Sequence, residues 1–424
     1  MSKRVVITGL GVAAPNGVGI PAFTHAIKNG ISGILHDEQL QELQFSCQIA
    51  GQPQISDTLK AAYFTELELR GFNSTGILYG VIAGMEAWKN AGLPIESNAE
   101  PDWESGTIFG SGTSGIDKFR ESIYKIDELQ VRRLGSTVVA QTMNSGISAY
   151  LGGKLGLGNQ VTTNSSACAT GTEAILMAYD RIKAGKAKRI LAGSTSDSGP
   201  YIWAGFDALR VCSSNHNDAP QEGSRPMSAT AAGFVPGSGA GALVIEDLES
   251  ALERGATLYA EILGGEVNSG GQRGSGSMTA PNSDAVQRCI KRAIQNSGIT
   301  AAAIDAINGH LTATTKDSLE IENWTKALDR KGTDFPYINS LKSMTGHCLS
   351  AAGSIESIAT VIQLYEGFVF GNINCEDLHA EITTLIDASK VPLKTINNKP
   401  EIIAKASFGF GDVNACIIFK KFQK

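Results

Sequence analysis

No apolar run in the 424-residue sequence is long enough to cross a bilayer, which excludes a helical membrane protein and gives no reason to expect a membrane partner. CxxC pairs are missing too. The seven cysteines, at positions 47, 168, 212, 289, 348, 375 and 416, form an odd, scattered set without metal-site spacing, as expected of free thiols in a reducing compartment. Positive charge is not in excess. A formal net charge of −6 argues against nucleic acid as the main partner. Aromatic residues are scarce at 7%, whereas glycine is abundant at 48 residues, a balance that implies many tight turns and close backbone approaches. The start, Met1-Ser2-Lys3-Arg4, runs directly into the strand-like Val5-Val6-Ile7-Thr8-Gly9 without the apolar segment and cleavage site of a signal peptide, so the expected location is the cytoplasm.

What is present centres on Asn164-Ser165-Ser166-Ala167-Cys168-Ala169-Thr170-Gly171. Before it, Val161-Thr162-Thr163 reads as a short strand. After it, Ala174, Ile175, Ala178, Tyr179 and Ile182 recur at helical spacing, which predicts a helix over 171–182. Cys168 is thereby expected at a helix N-terminus, where unpaired N–H groups and the macrodipole favour thiolate. The alternative is a small buried apolar cysteine.

Along the chain, strands are predicted at Val5–Pro15, from Gly106, at Arg189–Ser194, Gly237–Glu246, Leu258–Leu263, Ala303–Asn308, Pro336–Ser340 and Ile402–Ser407. Helices are predicted at Phe72–Ala91, Ser283–Gly298, up to Leu328, and over the small-residue run Ser350–Leu364. Gly9-Leu10-Gly11 lacks the full dinucleotide spacing and its acidic partner, so no nicotinamide site is expected. The grammar of the first half returns in the second, which suggests two related α/β halves, 1–255 and 256–424, meeting near Gly255. His310 and His347 stand out among six histidines because each lies at a strand or helix junction of the second half, where α/β folds place chemistry.

With these motifs in view, the sequence resembles the β-ketoacyl-acyl-carrier-protein synthases, the thiolase-fold condensing enzymes, over nearly its whole length. The residues that carry the likeness are Val5 to Gly11, Ser166-Ala167-Cys168, Ser224-Arg225-Pro226, Asn308-Gly309-His310, Lys342 to His347, and Ser407-Phe408-Gly409-Phe410-Gly411. The order Cys, His, then Lys with a second His is similar to the elongating members. The resemblance implies a five-layer α-β-α-β-α fold, Cys168 as acyl acceptor, and His310 and His347 as donors to an enolate oxygen. It also implies an oxyanion hole from the N–H groups of Cys168 and Phe408, and Lys342 ordering the site with Glu356 as partner. Substrates would ride on acyl carrier protein, with no metal and no redox cofactor. Arg132, Arg133 and Arg210 match carrier-docking positions, and Thr113 matches a position lining the acyl tunnel across a dimer interface.

A homodimer is the default implication, and the active half of a heterodimer with a chain-length factor is the alternative. A thiolase is disfavoured, since it would show a second catalytic cysteine. Several positions depart from the family pattern. Leu311 and Asp412 stand where glycine is usual, and Ser228, Ala231 and Ala232 replace charged residues after Arg225-Pro226. The loop after His310 is also one residue shorter. These departures leave room for a specialised polyketide or aryl polyene pathway.

Overall fold

Continuous apolar runs make strands buried on both faces, and such strands dominate the ten that organise the molecule. In the computed structural model, which describes residues 3–95 and 100–423, one half of a mixed sheet contains Val5–Ala14 (β1), Ser105–Ser111 (β2), Val161–Thr162 (β3), Arg189–Ser196 (β4) and Gly239–Asp247 (β5). The other half contains Ala260–Ser269 (β6), Ala306–Asn308 (β7), Tyr337–Asn339 (β8), Ile402–Gly409 (β9) and Val413–Lys421 (β10). The spatial order is β3-β2-β4-β5-β1 in the first half and β8-β7-β9-β10-β6 in the second. Counted within each half, the two orders are the same. Pairing directions repeat as well: β2 is parallel to β3 and β4, β7 is parallel to β8 and β9, and the other pairs are antiparallel.

The halves meet at a short seam, where Val5, Val6 and Ile7 pair with Ile262, Glu261 and Ala260. Six helices complete the stack: Thr75–Asn90 (α1), Gly146–Leu155 (α2), Thr170–Lys183 (α3), Ser283–Asn296 (α4), Asp317–Leu328 (α5) and Ala352–Glu366 (α6). Helices α1 and α2 cover the first half, and α4 and α5 cover the second. Helices α3 and α6 contact strands of both halves and each other, giving the five layers the resemblance implies. The predicted apolar positions of α3 are buried, and Ile175 and Ile182 contribute roughly 1.5–3 kcal/mol each. Small residues let α6 be buried along Ala352–Leu364. Its crossing with α3 needs glycine on both helices: a Cβ on Gly171 would lie 2.3 Å from Ser354 N, and one on Gly353 would lie 2.6 Å from Thr172 N.

Boundaries shift where local hydrogen bonding competes with the pattern. The strand expected at Ala303–Asn308 begins only at Ala306, because Ala301–Ala303 closes a 3-10 turn. Conversely, β6 runs on to Ser269 through Gly264 and Gly265, held by antiparallel pairing to β10. The helix expected from Ser350 starts at Ala352 after a 3-10 turn. No helix among the described residues is long and apolar enough to cross a membrane.

Candidate active site

Cys168 sits at the head of α3 on a turn drawn tight by side chains. Ala167 adopts φ +47°, a left-handed conformation that costs a non-glycine residue about 1–3 kcal/mol. Hydrogen bonds hold it there: Thr170 Oγ1 donates to Ala167 O at 2.6 Å and accepts from Ser166 N at 2.9 Å. Asn164 Nδ2 donates to Thr170 O and to Glu173 Oε2, each at 3.0 Å.

The same kind of control fixes His310, the second residue after β7. The two oxygens of buried Glu320 accept from His310 N and Leu311 N, both at 2.7 Å, and Lys342 Nζ donates to His310 O at 2.5 Å. His347 follows β8. Its Nδ1 accepts from Leu349 N at 3.2 Å, which assigns the ring proton to Nε2, and Nε2 lies 3.2 Å from Cys168 Sγ. The His310 and His347 rings stand edge to face with centroids 5.3 Å apart. One atom from each of Cys168, His310 and His347 falls within a common 4.8 Å.

Behind the histidines lies a buried charge cluster. Lys342 pairs with Glu356 Oε1, the partner the resemblance implied, and Lys405 stands 2.7 Å from Glu356 Oε2 as an ion pair off the lone-pair direction. Burial, then the positive charge of Lys342, pushes both histidines well below the usual imidazole range. Lys405 adds to this, so both rings are neutral near pH 7. Glu320 is raised to about 7 by burial, against the pull of its backbone donors.

One expectation is corrected here. The Cys168 thiol is not depressed: burial raises it, against the opposing pull of Lys342 and the Phe410 N–H. The head of a helix does not outweigh removal from water. The backbone N–H that acts on the sulfur is that of Phe410. Phe408 lies inside β9, paired with Asn414, and presents its ring edge-on to His310 at 6.3 Å, whereas Phe410 lies in the turn beyond. Gly409 makes the approach possible, since a Cβ there would lie 3.0 Å from Cys168 N.

These groups floor a cavity of about 270 Å³, with Thr279, Thr315 and Lys316 at its exposed mouth. Arg210 is exposed next to Val211, which lines the cavity. Arg132 and Arg133 are exposed on a separate 3-10 turn, and Thr113 is exposed and outside the cavity lining. The structure does not bring these three to the floor.

The family departures acquire local reasons. Asp412, at φ +61°, accepts from Gln272 N at 3.0 Å and Asn282 N at 2.8 Å, tying the Phe410 turn to the loop at the mouth. The charge missing after Pro226 arrives from Asp377, which meets Ser228, Thr230 and Arg225. Leu311 is buried and donates to Glu320. Sequence reasoning missed Lys405, Glu320 and Phe410. Only Phe410 lay within a motif already singled out.

Comparison with known proteins agrees with this arrangement. Residues 2–251 match the family model "Beta-ketoacyl synthase, N-terminal domain" and residues 259–376 match "Beta-ketoacyl synthase, C-terminal domain". The chain is 34% identical over 430 residues to 3-oxoacyl-[acyl-carrier-protein] synthase 2 of Vibrio harveyi, covering 100% of both. It is 33% identical to the chloroplastic synthase I of Arabidopsis thaliana, covering 99% of this chain and 87% of the relative. Among solved structures, a β-ketoacyl synthase from Burkholderia phymatum superposes with a TM-score of 0.89 at 27% identity, covering 99% and 100% of the two chains. A type II polyketide ketosynthase solved with its acyl-carrier protein gives 0.86 at 26% identity, covering 100% of both. With a cysteine, two neutral histidines and a buried lysine converging on one cavity in a chain matched along nearly its full length, the protein belongs to the β-ketoacyl synthase family.

Proposed function

We propose that the protein performs decarboxylative Claisen condensation between a malonyl group on acyl carrier protein and an acyl group held on Cys168. The observation that carries this reading is the approach of His347 Nε2, a proton donor by its tautomer, to Cys168 Sγ at 3.2 Å beside His310. Cys168 attacks the acyl thioester, the C–S bond to the carrier's pantetheine breaks, and the departing thiolate takes the proton that the cysteine gives up. The malonyl thioester then loses CO₂. The electron pair of the broken C–C bond passes into an enolate whose oxygen meets N–H donors from His310 and His347. The enolate carbon attacks the acyl-cysteine carbonyl, with the Cys168 and Phe410 N–H groups facing the tetrahedral oxyanion. Collapse releases the Cys168 thiolate and a 3-oxoacyl thioester two carbons longer.

The remaining assignments belong to the same reading. The halves 1–255 and 256–424 are two copies of one design, the first contributing the nucleophile and the dimer face, the second the donors. Arg210, at the mouth, and Arg132 with Arg133 meet the acidic carrier. Thr113, exposed in the single chain, lines the acyl tunnel only when a second subunit covers it, so Thr113→Phe should narrow the range of acyl lengths that load. An unchanged length profile would remove Thr113 from the tunnel. The whole reading is tested by incubation with a panel of acyl-carrier thioesters and malonyl carrier, followed by intact-mass measurement. An acyl adduct on Cys168 and a two-carbon-longer 3-oxo product are expected, and the absence of an adduct with every carrier thioester overturns it.

A further inference from the structure

Lys405 is fully buried in β9, and the chemistry described above assigns it nothing. Three oxygens surround its Nζ: Glu356 Oε2 at 2.7 Å, Ser407 Oγ at 2.8 Å, and the carbonyl of Ala406. Burial lowers the pKa of this amine and the Glu356 carboxylate opposes that, while the three oxygens match the three N–H donors of an ammonium. Removing an ammonium from water is expensive unless it is paired, and a single carboxylate, Glu356, serves both this one and Lys342. The three side chains therefore leave one positive charge in excess directly behind the imidazoles.

The cluster is also a mechanical link. Lys342 holds the carbonyl of His310, Glu356 extends from α6, and Lys405 holds Ser407, whose hydroxyl meets Thr172 Oγ1 of α3 at 2.9 Å. Ser407 stands three residues before Phe410. One chain of contacts thus joins the His310 loop, the Phe410 turn and the cysteine helix.

We propose that Lys405 is a positioning residue of this site: its ammonium, sharing Glu356 with Lys342, keeps the excess positive charge behind His310 and His347 and aligns the turn that carries the Phe410 N–H. This rests on the condensation reading above. Lys342 from its turn and Lys405 from β9 act on both imidazoles, Glu356 from α6 pairs with the two lysines, and Asp317 and Glu320 from α5 and Cys168 from the head of α3 line the same cavity. Repulsion by Lys405 acts on both rings in the same sense as burial. Were His347 protonated, its Nδ1 would lose the lone pair that accepts from Leu349 N, and the ring would leave its position over the sulfur. Lys405 therefore sets how far the pH can fall before the site is lost.

The sign follows directly. Removing the charge raises the imidazoles toward their ordinary value, so protonation begins at higher pH. Lys405→Met should move the acidic limb of malonyl-carrier decarboxylation upward by about half to one pH unit. On that limb it should lower kcat by about three- to tenfold while KM stays within about twofold, and Lys405→Arg should restore the limb. Acyl loading on Cys168, followed by intact mass in the same samples, separates the two claims. A protein that loads normally but keeps an unmoved acidic limb in Lys405→Met overturns the role of Lys405 alone, whereas failure of the parent to load overturns the condensation reading. Should Lys405→Met not accumulate as folded protein, Lys405→Gln, which keeps a donor for Ser407 and removes the charge, carries the same test with the same two outcomes.

Discussion

The two halves of the sheet share one strand order and one pattern of directions, yet they put their strand ends to different use. In each, the third strand leads to the helix buried between the layers: β3 by way of Cys168 into α3, β8 by way of Lys342 and His347 into α6. After the second strand the first half has Gly112 and Thr113, where the second has His310. At the end of the fourth, the first half has Ser196 and Asp197, where the second has Phe408, Gly409 and Phe410. Asp197 is a buried carboxylate, as Glu356 is, but backbone satisfies it: Gly76 N at 2.5 Å and Ile116 N at 3.3 Å donate to it. Glu356 is met by two ammonium groups instead. Neutral donors on a buried carboxylate make a structural cap, whereas full charges make a field that reaches reacting groups.

The sharpest way to break the comparison is to remove the one reacting atom the first half supplies. Cys168→Ala should abolish acyl loading and condensation altogether, while malonyl decarboxylation persists because the second half's donors remain. An acyl adduct on another cysteine with full activity would contradict the division of labour. Replacing His310 or His347 by Ala should reduce decarboxylation by about 10²–10³ and reduce loading much less. Equal losses in both assays would make the histidines structural.

Asp197→Ala sharpens the contrast from the other side. It strands the Gly76 and Ile116 N–H groups in the interior, so stability should fall by about 1–3 kcal/mol, read from chemical denaturation. The loading rate of the folded fraction should stay within about twofold of the parent, and a loss comparable to the histidine variants would show that the first half's strand ends also serve the chemistry. The smallest effect is expected at the surface. Reversing Arg132 and Arg133 to Glu should raise KM for the carrier and flatten its salt dependence, since exposed charges act mainly on encounter. Unchanged kinetics across salt would exclude that patch.

Residues whose role follows from local position were legible in the sequence. Cys168 follows a strand and precedes a helix whose apolar spacing is unambiguous, and His310 comes just after a strand end. Lys405 and Glu320 were not, because nothing along the chain tells a buried charge from a solvated one; both acquire meaning only when α5, α6 and β9 converge. Phe408 was named on the resemblance alone, and the turn that carries Phe410 is closed by Asp412 through the distant Gln272 and Asn282. The raised Cys168 thiol escaped for the same reason as the lysine. A helix terminus is visible in sequence, but the depth at which it is buried is not.

All seven cysteines are buried, and Cys47, Cys348, Cys375 and Cys416 are pushed up to about 11 or 12 chiefly by that burial. Among them, Cys168 alone borders the active-site cavity. The folded chain therefore offers an electrophile on a pantetheine-like arm a single point of entry. The mass added per chain becomes a count of competent molecules, so a preparation can be standardised by its own nucleophile before any rate is measured.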